Sequence, residues 1–276
     1  MNKTNDIQLS RHLLEIATTA ASRVGDYLTE NFQRGVTFEE KVGYHDPVTE
    51  CDRHSEQIIS DHIFRMHPDS TIVGEEGGQR GTGVIRWYVD PIDGTNNFVS
   101  GLPFFCVSIA AAEDRQMLAG VIYDPVRHEM MTASLDGACL NGKCIRPTWH
   151  NSDSSATLLS GYPYEGGNAT ASDFELYHKL IGHFRSVRRL GCTALELASV
   201  ALGRADVAFQ TNANAWDVAA GMFLVQQAGG RYIGIPSGEQ TEADLEPWMY
   251  HRFIAVGANF DLERSSVRDI LGERRT

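Results

Sequence analysis

The chain has 276 residues, of which 42% are hydrophobic and 22% are charged. This composition is typical of a globular protein with a sizeable core and excludes an intrinsically disordered chain. Acidic residues outnumber basic residues by 36 to 24, and the formal charge of −12 argues against nucleic acid as a partner, since binding it requires a basic face. Bound cations are one way to offset this negative charge, which is a reason to look for a metal site.

The cysteines and the N-terminus indicate the compartment. The five cysteines have no paired spacing, which favours reduced thiols over a disulfide framework. They are Cys51, Cys106, Cys139, Cys144 and Cys192. Residues 1–10 lack the apolar run of a signal peptide, and no stretch approaches the roughly 20 consecutive apolar residues of a membrane span. We therefore expect a soluble cytoplasmic protein with no membrane contact.

The first half of the chain predicts two helices followed by strands. Apolar residues at helical spacing mark a helix over residues 9–32, and a capping box of Thr49 and Asp52 begins a second helix that ends near residue 66. A short strand over 70–75 leads into a glycine-rich segment, 77–83, which we expect to be a mobile turn. Further strands are predicted at 86–89, 106–111, 118–123 and 128–133.

The second half alternates between helices and strands. Residues 141–155 are polar and carry Gly142 and Pro147, so we place the division there, between an N-terminal α+β half (1–148) and a C-terminal α/β half (149–276). Helices are predicted at 173–184, 193–202 and 216–228, and strands at 158–160, 207–209 and 253–256, before a last helix. Such alternation favours a layered α/β arrangement.

The densest chemical signal is the segment WYVDPIDGT, residues 87–95. A hydrophobic strand delivers Asp90 at its end, Pro91 fixes a turn, and Asp93 returns three residues later. This geometry can bring two carboxylates and the Ile92 carbonyl to one point, and hard oxygen ligands of this kind suit magnesium. Taken alone the motif is weak evidence, because acids beside turns are more often caps or solvated loop residues.

Other acids strengthen the interpretation, although each has a structural alternative. Glu75 and Glu76 are adjacent at the end of a short strand, where two neighbouring negative charges are costly unless solvent or cations offset them. Asp46 and Asp52 flank a helix start, but Asp52 is also explained as the capping partner of Thr49. Asp217 begins another helix, where the helix dipole favours an acid in any case.

Taken together, these segments resemble the inositol monophosphatase family. The resemblance rests on DPIDGTNNF over 90–98, WDVAAG over 216–221 followed by AGG over 228–230, KVGYHDPVTECD over 41–52 and VGEE over 73–76. It covers roughly residues 10–260 in the family's order. It implies the family's fold, a layered αβαβα sandwich of the inositol monophosphatase and fructose-1,6-bisphosphatase type that combines an α+β half with an α/β half. It also implies a homodimer and inhibition by lithium.

The resemblance also implies the metal ligands and their number, two or three magnesium ions. Glu75, Asp90 and the Ile92 carbonyl would hold the first ion, and Asp90, Asp93 and Asp217 the second. Glu75 would also touch a third, weaker ion.

The same resemblance assigns the catalytic and substrate contacts. Thr95, hydrogen-bonded to Asp52, would help Glu75 orient and deprotonate the attacking water. Amides near Gly94 and Thr95 would hold the phosphate. The full set of predicted substrate contacts is Asp93, Gly94, Thr95, Gly191, Cys192, Gln210 and Asp217, and further candidates for the site are Lys41, Asp46 and Glu76. Cys192 lies where the family more usually has a small polar residue, so it is either a ligand contact or a capping or packing residue.

The substrate is the less determined part of the prediction. Inositol 1-phosphate leads, but Gln210 occupies a position where inositol phosphatases generally use a glutamate, and an amide holds a polyol hydroxyl less strongly than a carboxylate does. The segment FVSGLP at 98–103 is similar to histidinol-phosphate phosphatases of the family, and fructose 1,6-bisphosphate stays a further alternative.

In a different class, some family members act as binding proteins of RNA-processing or transcription machinery. The arginines within residues 185–189 are the feature that would serve such a role, although a solvated helix end is the favoured explanation for them.

Overall fold

The computed structural model describes residues 3–40, 47–163, 169–236 and 245–272. Seven α-helices occur in these ranges: α1 Lys3–Arg34, α2 Glu50–Met66, α3 Thr95–Val99, α4 Ala171–His183, α5 Thr193–Ala201, α6 Ala215–Gln227 and α7 Asp269–Gly272. Short 3-10 helices lie at Asp153–Ser155, Pro247–Met249, Leu262–Arg264 and Ser266–Arg268. None of the helices in the described ranges is both long and apolar enough to cross a membrane.

The strands form a two-stranded ribbon and two larger sheets. The ribbon pairs β1 (Phe38–Glu40) with β2 (Pro47–Thr49). The first large sheet has the order β10-β9-β8-β7-β6-β5-β3-β4. Its strands are β3 Ser70–Gly74, β4 Gly78–Gly81, β5 Ile85–Asp93, β6 Cys106–Glu113, β7 Gln116–Asp124, β8 Glu129–Ser134, β9 Gly137–Leu140 and β10 Lys143–Cys144. The second has the order β12-β11-β13-β15-β14. It contains β11 Thr157–Leu159, β12 Ser186–Arg188, β13 Val207–Gln210, β14 Arg231–Ile235 and β15 Arg252–Val256.

The helices and sheets stack in five layers. The long helices α1 and α2 pack on one face of the first sheet, and α5 and α6 pack on its other face. The same α5–α6 layer contacts the second sheet, whose far side carries α4. Three apolar clusters fill the spaces between the layers, as expected when each sheet must bury both faces. The αβαβα sandwich predicted from the sequence is confirmed.

Local sequence explains why α2 begins where it does. Thr49 is the N-cap, and its hydroxyl accepts hydrogen bonds from the amides of Cys51 and Asp52. In return, Asp52 Oδ2 accepts the Thr49 N–H at 2.8 Å, which completes the predicted capping box. The cap therefore fixes the position of Asp52, which becomes important at the site.

The structure corrects three element predictions. Most of the segment 77–83 is strand and not turn: Gly78–Gly81 form β4, which pairs antiparallel with β3. Its start is held by the buried Glu56 carboxylate, which accepts the N–H groups of Glu76 and Gly77 at 2.8 and 2.7 Å. Strand β14 was not predicted: it follows Gly229 and Gly230 and pairs antiparallel with β15, so the second sheet is mixed. Finally, the arginine-rich segment includes the edge strand β12 instead of a helix end.

The division of the chain at residue 148 stays a prediction. The strands of the first large sheet lie within residues 70–144 and those of the second within 157–256. The shared α5–α6 layer packs against both sheets, so the two halves meet over a common core.

Candidate functional site

The centre of the site is the end of β5. The pairing of β5 with β6 shifts register between Asp90 and Asp93, which marks a bulge at this point. Within the bulge, the Ile92 N–H donates to Asp90 Oδ1 at 3.0 Å, which holds that carboxylate against the strand end. Asp90 is only 3% exposed. The DPID motif therefore places both aspartates at the same strand end, as its spacing predicted.

Glu75 reaches the same place from the neighbouring strand. Strands β3 and β5 are parallel, with Gly74 opposite Val89, and the Glu75 N–H donates to the Val89 carbonyl at 3.1 Å. The carboxyl ends of parallel strands meet at one edge of a sheet, which puts Glu75 beside Asp90. A buried hydrogen bond from Trp87 Nε1 to Ser70 Oγ at 3.0 Å ties the two strands together further back.

Asp217 enters from the layer between the sheets. It occupies the third position of α6, where its Oδ2 accepts the Asn214 N–H at 2.7 Å as part of a capping box. Asp217 therefore does have a structural role at the start of α6, but the capping bond is not its only interaction. Asp93 and Glu75 lie close enough to raise the pKa of Asp217 after burial itself, which is the larger cause.

The acids destabilise one another's ionised forms. Burial first, then Glu75, Asp93 and Asp217, hold the pKa of Asp90 well above its ordinary value. Burial is also the largest cause that raises the pKa of Asp93 to about 6, opposed by the Ala194 N–H and the Cys192 thiol. Four carboxylates from three separate segments therefore face one another with too little compensation from the protein.

This donor set fits magnesium. The ion takes hard oxygen ligands, and carboxylates at a strand end with a nearby backbone carbonyl are of that type. Mutual repulsion between the buried Asp90 and the half-buried acids around it is the condition that a divalent cation relieves, so the residues present suit the group. A magnesium site at this place is compatible with the predicted ligands, which are Glu75, Asp90, Ile92, Asp93 and Asp217.

Thr95 links the helix cap to the strand end. Its hydroxyl lies 3.2 Å from Asp52 Oδ1 and 2.9 Å from the Ile92 carbonyl oxygen, and it can donate its single proton to only one of them at a time. Asp52 is 1% exposed and its Oδ2 is already bound to Thr49. Asp52 therefore has both roles that the sequence suggested, capping α2 and contacting Thr95.

Two glycines allow the backbone to pass close to the site. Gly94 has φ +91°, and a Cβ there would lie 3.0 Å from the Phe104 carbonyl and 3.2 Å from the Cβ of Cys192. Gly191 has φ +70° and precedes the start of α5. Side chains at either position would be strained, so the approach of α3 to α5 depends on glycine.

Sequence reasoning missed Cys106 as a neighbour of Asp93 and did not predict its contact with Cys192. Cys106 on β6 lies directly opposite Asp93 in the register, and its thiol is 3.7 Å from that of Cys192. Cys192 is the N-cap residue of α5, but its side chain makes no capping hydrogen bond, and its Sγ instead lies 3.3 Å from Asp93 Oδ2. The Ala194 N–H donates to the same oxygen at 2.5 Å. The signal available was the pairing of β5 with β6, which sequence alone does not fix.

A buried acid–amide pair lies beside the site. Gln210, at the end of β13, donates from Nε2 to Glu196 Oε2 at 2.7 Å and accepts the Gly161 N–H on its Oε1 at 3.1 Å. Both ends of the Gln210 amide are thus engaged within the protein. Glu196 is completely buried and is the one charged residue of helix α5, and burial is the main cause that raises its pKa to about 8. A charged residue in such a helix was the signal that could have revealed it.

The raised pKa of Glu196 predicts that the protein loses stability as the pH rises from the ordinary pKa of 4.5 to about 8. Because its folded pKa of about 8 lies above the ordinary value of 4.5, the folded state binds an extra proton between these pH values, and stability falls as pH rises through this window. Relative to Glu196→Gln, the wild type should lose on the order of 4 kcal/mol of unfolding free energy across it. Denaturant unfolding at a series of pH values measures this difference.

Glu129→Gln is the matched control for that prediction. Glu129 is bound to Arg204 at 2.6 Å, which lowers its pKa. Its contribution is therefore present above the ordinary pKa of a glutamate and is lost only towards acid. Parallel stability curves for the wild type and Glu196→Gln up to alkaline pH would contradict the assignment of a protonated Glu196.

The structure describes one of the three further candidates for the site. Lys41 and Asp46 fall outside the described residues. Glu76 is half-buried, and its N–H is bound to Glu56, which directs the chain away from Glu75 into β4.

Known proteins share this sequence and fold. The family model of the inositol monophosphatase family matches residues 9–261, so the chain belongs to that family. A curated relative from Escherichia coli (strain K12), named Nus factor SuhB, is 37% identical over 222 residues, which are 79% of this chain and 83% of the relative. The Nus factor SuhB of Pasteurella multocida (strain Pm70) is 36% identical, with the same coverage of 79% and 83%.

Among solved structures, the extragenic suppressor protein suhB of Bartonella henselae superposes with a TM-score of 0.80 at 30% identity, covering 90% of this chain and 94% of that one. An IMPase of Thermotoga maritima has a TM-score of 0.78 at 31% identity and covers 94% of each chain.

Proposed function

We propose that the protein is a magnesium-dependent phosphomonoesterase that hydrolyses a small phosphate monoester, with inositol 1-phosphate as the leading substrate. The observation that carries the proposal is the convergence of Glu75, Asp90, Asp93 and Asp217, whose charges repel one another at one strand end. Membership of the inositol monophosphatase family supports phosphatase activity, and two or three ions per site are the number that we propose.

The residues of the chain divide the chemistry among them. Bound magnesium ions lower the pKa of water and neutralise charge on the phosphoryl oxygens and the leaving oxygen. Glu75 accepts the proton of the attacking water, and the Thr95 hydroxyl, held by Asp52, orients that water. The backbone amides near Gly94 and Thr95 hold the phosphate, and the start of α5 at Gly191 and Cys192 borders the leaving alcohol.

Gln210 bears on which alcohol leaves. Its Oε1 and Nε2 are both bound within the protein, which reduces what it can offer to an inositol hydroxyl compared with a free carboxylate. Histidinol phosphate, whose leaving alcohol carries an amine, is the first alternative substrate and fructose 1,6-bisphosphate the second. A glutamate at this position would add a negative charge beside the buried Glu196.

A phosphate-release screen of the wild type and Gln210→Glu tests the substrate. The panel is inositol 1-phosphate, histidinol phosphate, fructose 1,6-bisphosphate and phosphoadenosine phosphate, each with and without magnesium. We expect magnesium-dependent release that is fastest with inositol 1-phosphate. In Gln210→Glu we expect KM for inositol 1-phosphate to fall about 10-fold, because a carboxylate holds a polyol hydroxyl more strongly than an amide does. KM for the other substrates should change less.

The double variant Glu196→Gln/Gln210→Glu is the control, because it restores one acid and one amide in exchanged places. In the single variant, two adjacent buried carboxyl groups cost the fold roughly 2 kcal/mol of stability. The double variant avoids this cost, so it shows the effect on substrate recognition alone. Equal rates with and without magnesium for every substrate would refute the proposed activity.

A second candidate function is binding to transcription or RNA-processing machinery. It is favoured by the name Nus factor carried by the relatives from Escherichia coli and Pasteurella multocida, which runs against the expectation from net charge that nucleic acid is not a partner. The exposed arginines Arg185, Arg188 and Arg189 lie at the edge strand β12 of the second sheet and would serve as the contact surface.

We further propose, from the family resemblance, a cytoplasmic homodimer that lithium inhibits.

A further inference from the structure

Two thiols and a carboxylate form a compact cluster beside the strand-end acids. Cys106 Sγ and Cys192 Sγ are 3.7 Å apart, and Cys192 Sγ lies 3.3 Å from both the side-chain Oδ2 and the backbone carbonyl oxygen of Asp93. The two sulfurs and the Asp93 carboxylate oxygen all lie within 4.8 Å of one another. Both cysteines are buried, with 0% and 1% of their surface exposed.

These separations match the ligand shell of a tetrahedral cation. With metal–sulfur bonds of about 2.3 Å and metal–oxygen bonds of about 2.0 Å, tetrahedral geometry sets two sulfurs about 3.8 Å apart and a sulfur and an oxygen about 3.5 Å apart. The cluster shows 3.7 Å and 3.3 Å for these two distances. These two separations therefore already fit the ion, and the third, between Cys106 Sγ and the Asp93 carboxylate oxygen, is within 4.8 Å.

Contact between two thiols does not by itself make such a site. Cys139 and Cys144, paired across β9 and β10, have the same Sγ–Sγ distance of 3.7 Å and are partly exposed. The buried pair differs because two oxygens of Asp93 adjoin one of its sulfurs. The mixture of two sulfur and two oxygen donors is what distinguishes it.

The chemistry of these donors differs from that of the four acids. Thiolates select soft or borderline cations such as zinc and cadmium, whereas carboxylates and carbonyls suit magnesium. We propose that Cys106, Cys192 and Asp93 form a binding site for a thiophilic divalent cation of the zinc or cadmium class, adjoining the magnesium site. Each thiol releases its proton to solvent as it coordinates, and the Asp93 carbonyl supplies the fourth donor.

The position of Asp93 gives the site a consequence for activity. A cation held through Asp93 Oδ2 fixes this carboxylate towards the sulfurs and withdraws its negative charge from Asp90 and Asp217. Thiophilic cations should therefore inhibit phosphate release. This consequence rests on the proposed function, but binding of the cation does not.

The test measures cadmium binding to the full chain with no substrate or magnesium present. Cadmium–thiolate coordination produces an ultraviolet charge-transfer absorption, and titration of the chelator-treated protein gives the affinity. We expect Cys192→Ser to weaken binding at the tight site on the order of 100-fold, because one thiolate is lost. Serine is well tolerated at an N-cap position, so this variant should fold, and Cys106→Ser provides a second test from the other strand.

Cys139→Ser/Cys144→Ser is the matched control, since it removes a thiol pair of equal spacing without an adjacent aspartate. The double variant should keep the tight site and its charge-transfer absorption. Unchanged cadmium affinity in Cys192→Ser, or loss of the tight site in the Cys139/Cys144 variant, would overturn the proposal. Because phosphate release is not measured, this result is independent of whether the protein proves to be a phosphatase.

Discussion

Replacing Asp93 with asparagine is expected to reduce magnesium-dependent phosphate release roughly 1,000-fold, a size typical of losing one major electrostatic contributor to a transition state. The reason is that Asp93 adjoins both Glu75 and Asp217, so the change removes one negative charge from the centre of the proposed metal site. The measurement is kcat at saturating substrate over a magnesium titration, since a weakened ion site also raises the magnesium concentration required.

The same substitution should leave the fold intact. Burial raises the pKa of Asp93 to about 6, so at neutral pH its ionised form costs the folded state free energy that an asparagine does not. In the absence of magnesium, thermal unfolding of Asp93→Asn should therefore occur at the wild-type temperature or higher. A variant that loses activity together with its fold would not support the role assigned to this carboxylate.

Asp136→Asn is the matched control, because it makes the same change in net charge at an exposed surface ion pair with Arg11. It should keep wild-type activity, since exposed pairs contribute little. Charge reversal of Arg185 and Arg188 provides the reciprocal comparison: it should abolish any binding to transcription machinery while phosphate release persists. Survival of phosphate release in Asp93→Asn across a broad panel of monoesters would show that the role given to Asp93 is wrong.

Removing the Thr95 hydroxyl has the second-largest expected effect. Thr95→Val keeps the shape of the side chain but removes the donor that lies between Asp52 Oδ1 and the Ile92 carbonyl. If this hydroxyl orients the attacking water, kcat should fall roughly 100-fold, within the range for a positioned proton-transfer group. KM should change little, because the hydroxyl acts on the water and not on the leaving alcohol.

Thr71→Val is the matched control for this prediction. Its hydroxyl also donates to a backbone carbonyl, that of Gly83 at 2.8 Å, but on β3 away from the strand end. Both variants should lose about 1 kcal/mol of stability through the missing hydrogen bond. A similar fall in kcat in the two variants would mean that Thr95 acts only on the fold.

Local sequence carried enough information to place the acids. The capping box of Thr49 and Asp52 and the strand that delivers Asp90 depend on residues within a few positions of one another, and both formed as predicted. The repeated apolar spacing likewise identified α1 and α2, because burial of one face dictates it. The αβαβα layers, by contrast, were predicted from the family resemblance, and they are confirmed.

The features that were missed depend on pairing between distant segments. Cys106 approaches Cys192 only because β6 pairs with β5 and α5 packs against that sheet, and these residues are 86 positions apart. The Glu196–Gln210 pair similarly needs α5 to pack beside β13. Strand β4 was missed because its glycines suggested a turn, whereas pairing with β3 and the Glu56 carboxylate define its conformation.

The placement of α5 and α6 between the two sheets separates two kinds of change. Three of the four acids are carried by adjacent strands of the first sheet, whereas Gly191, Cys192 and Gln210 belong to segments of the second half. Under the proposed function, a substitution at Gln210 changes the alcohol that is accepted without touching the four acids, whereas a substitution at the start of α5 also acts on Asp93 through the Cys192 thiol and the Ala194 N–H. Retargeting the proposed activity would therefore begin at the end of β13 and leave both β5 and the start of α5 unchanged.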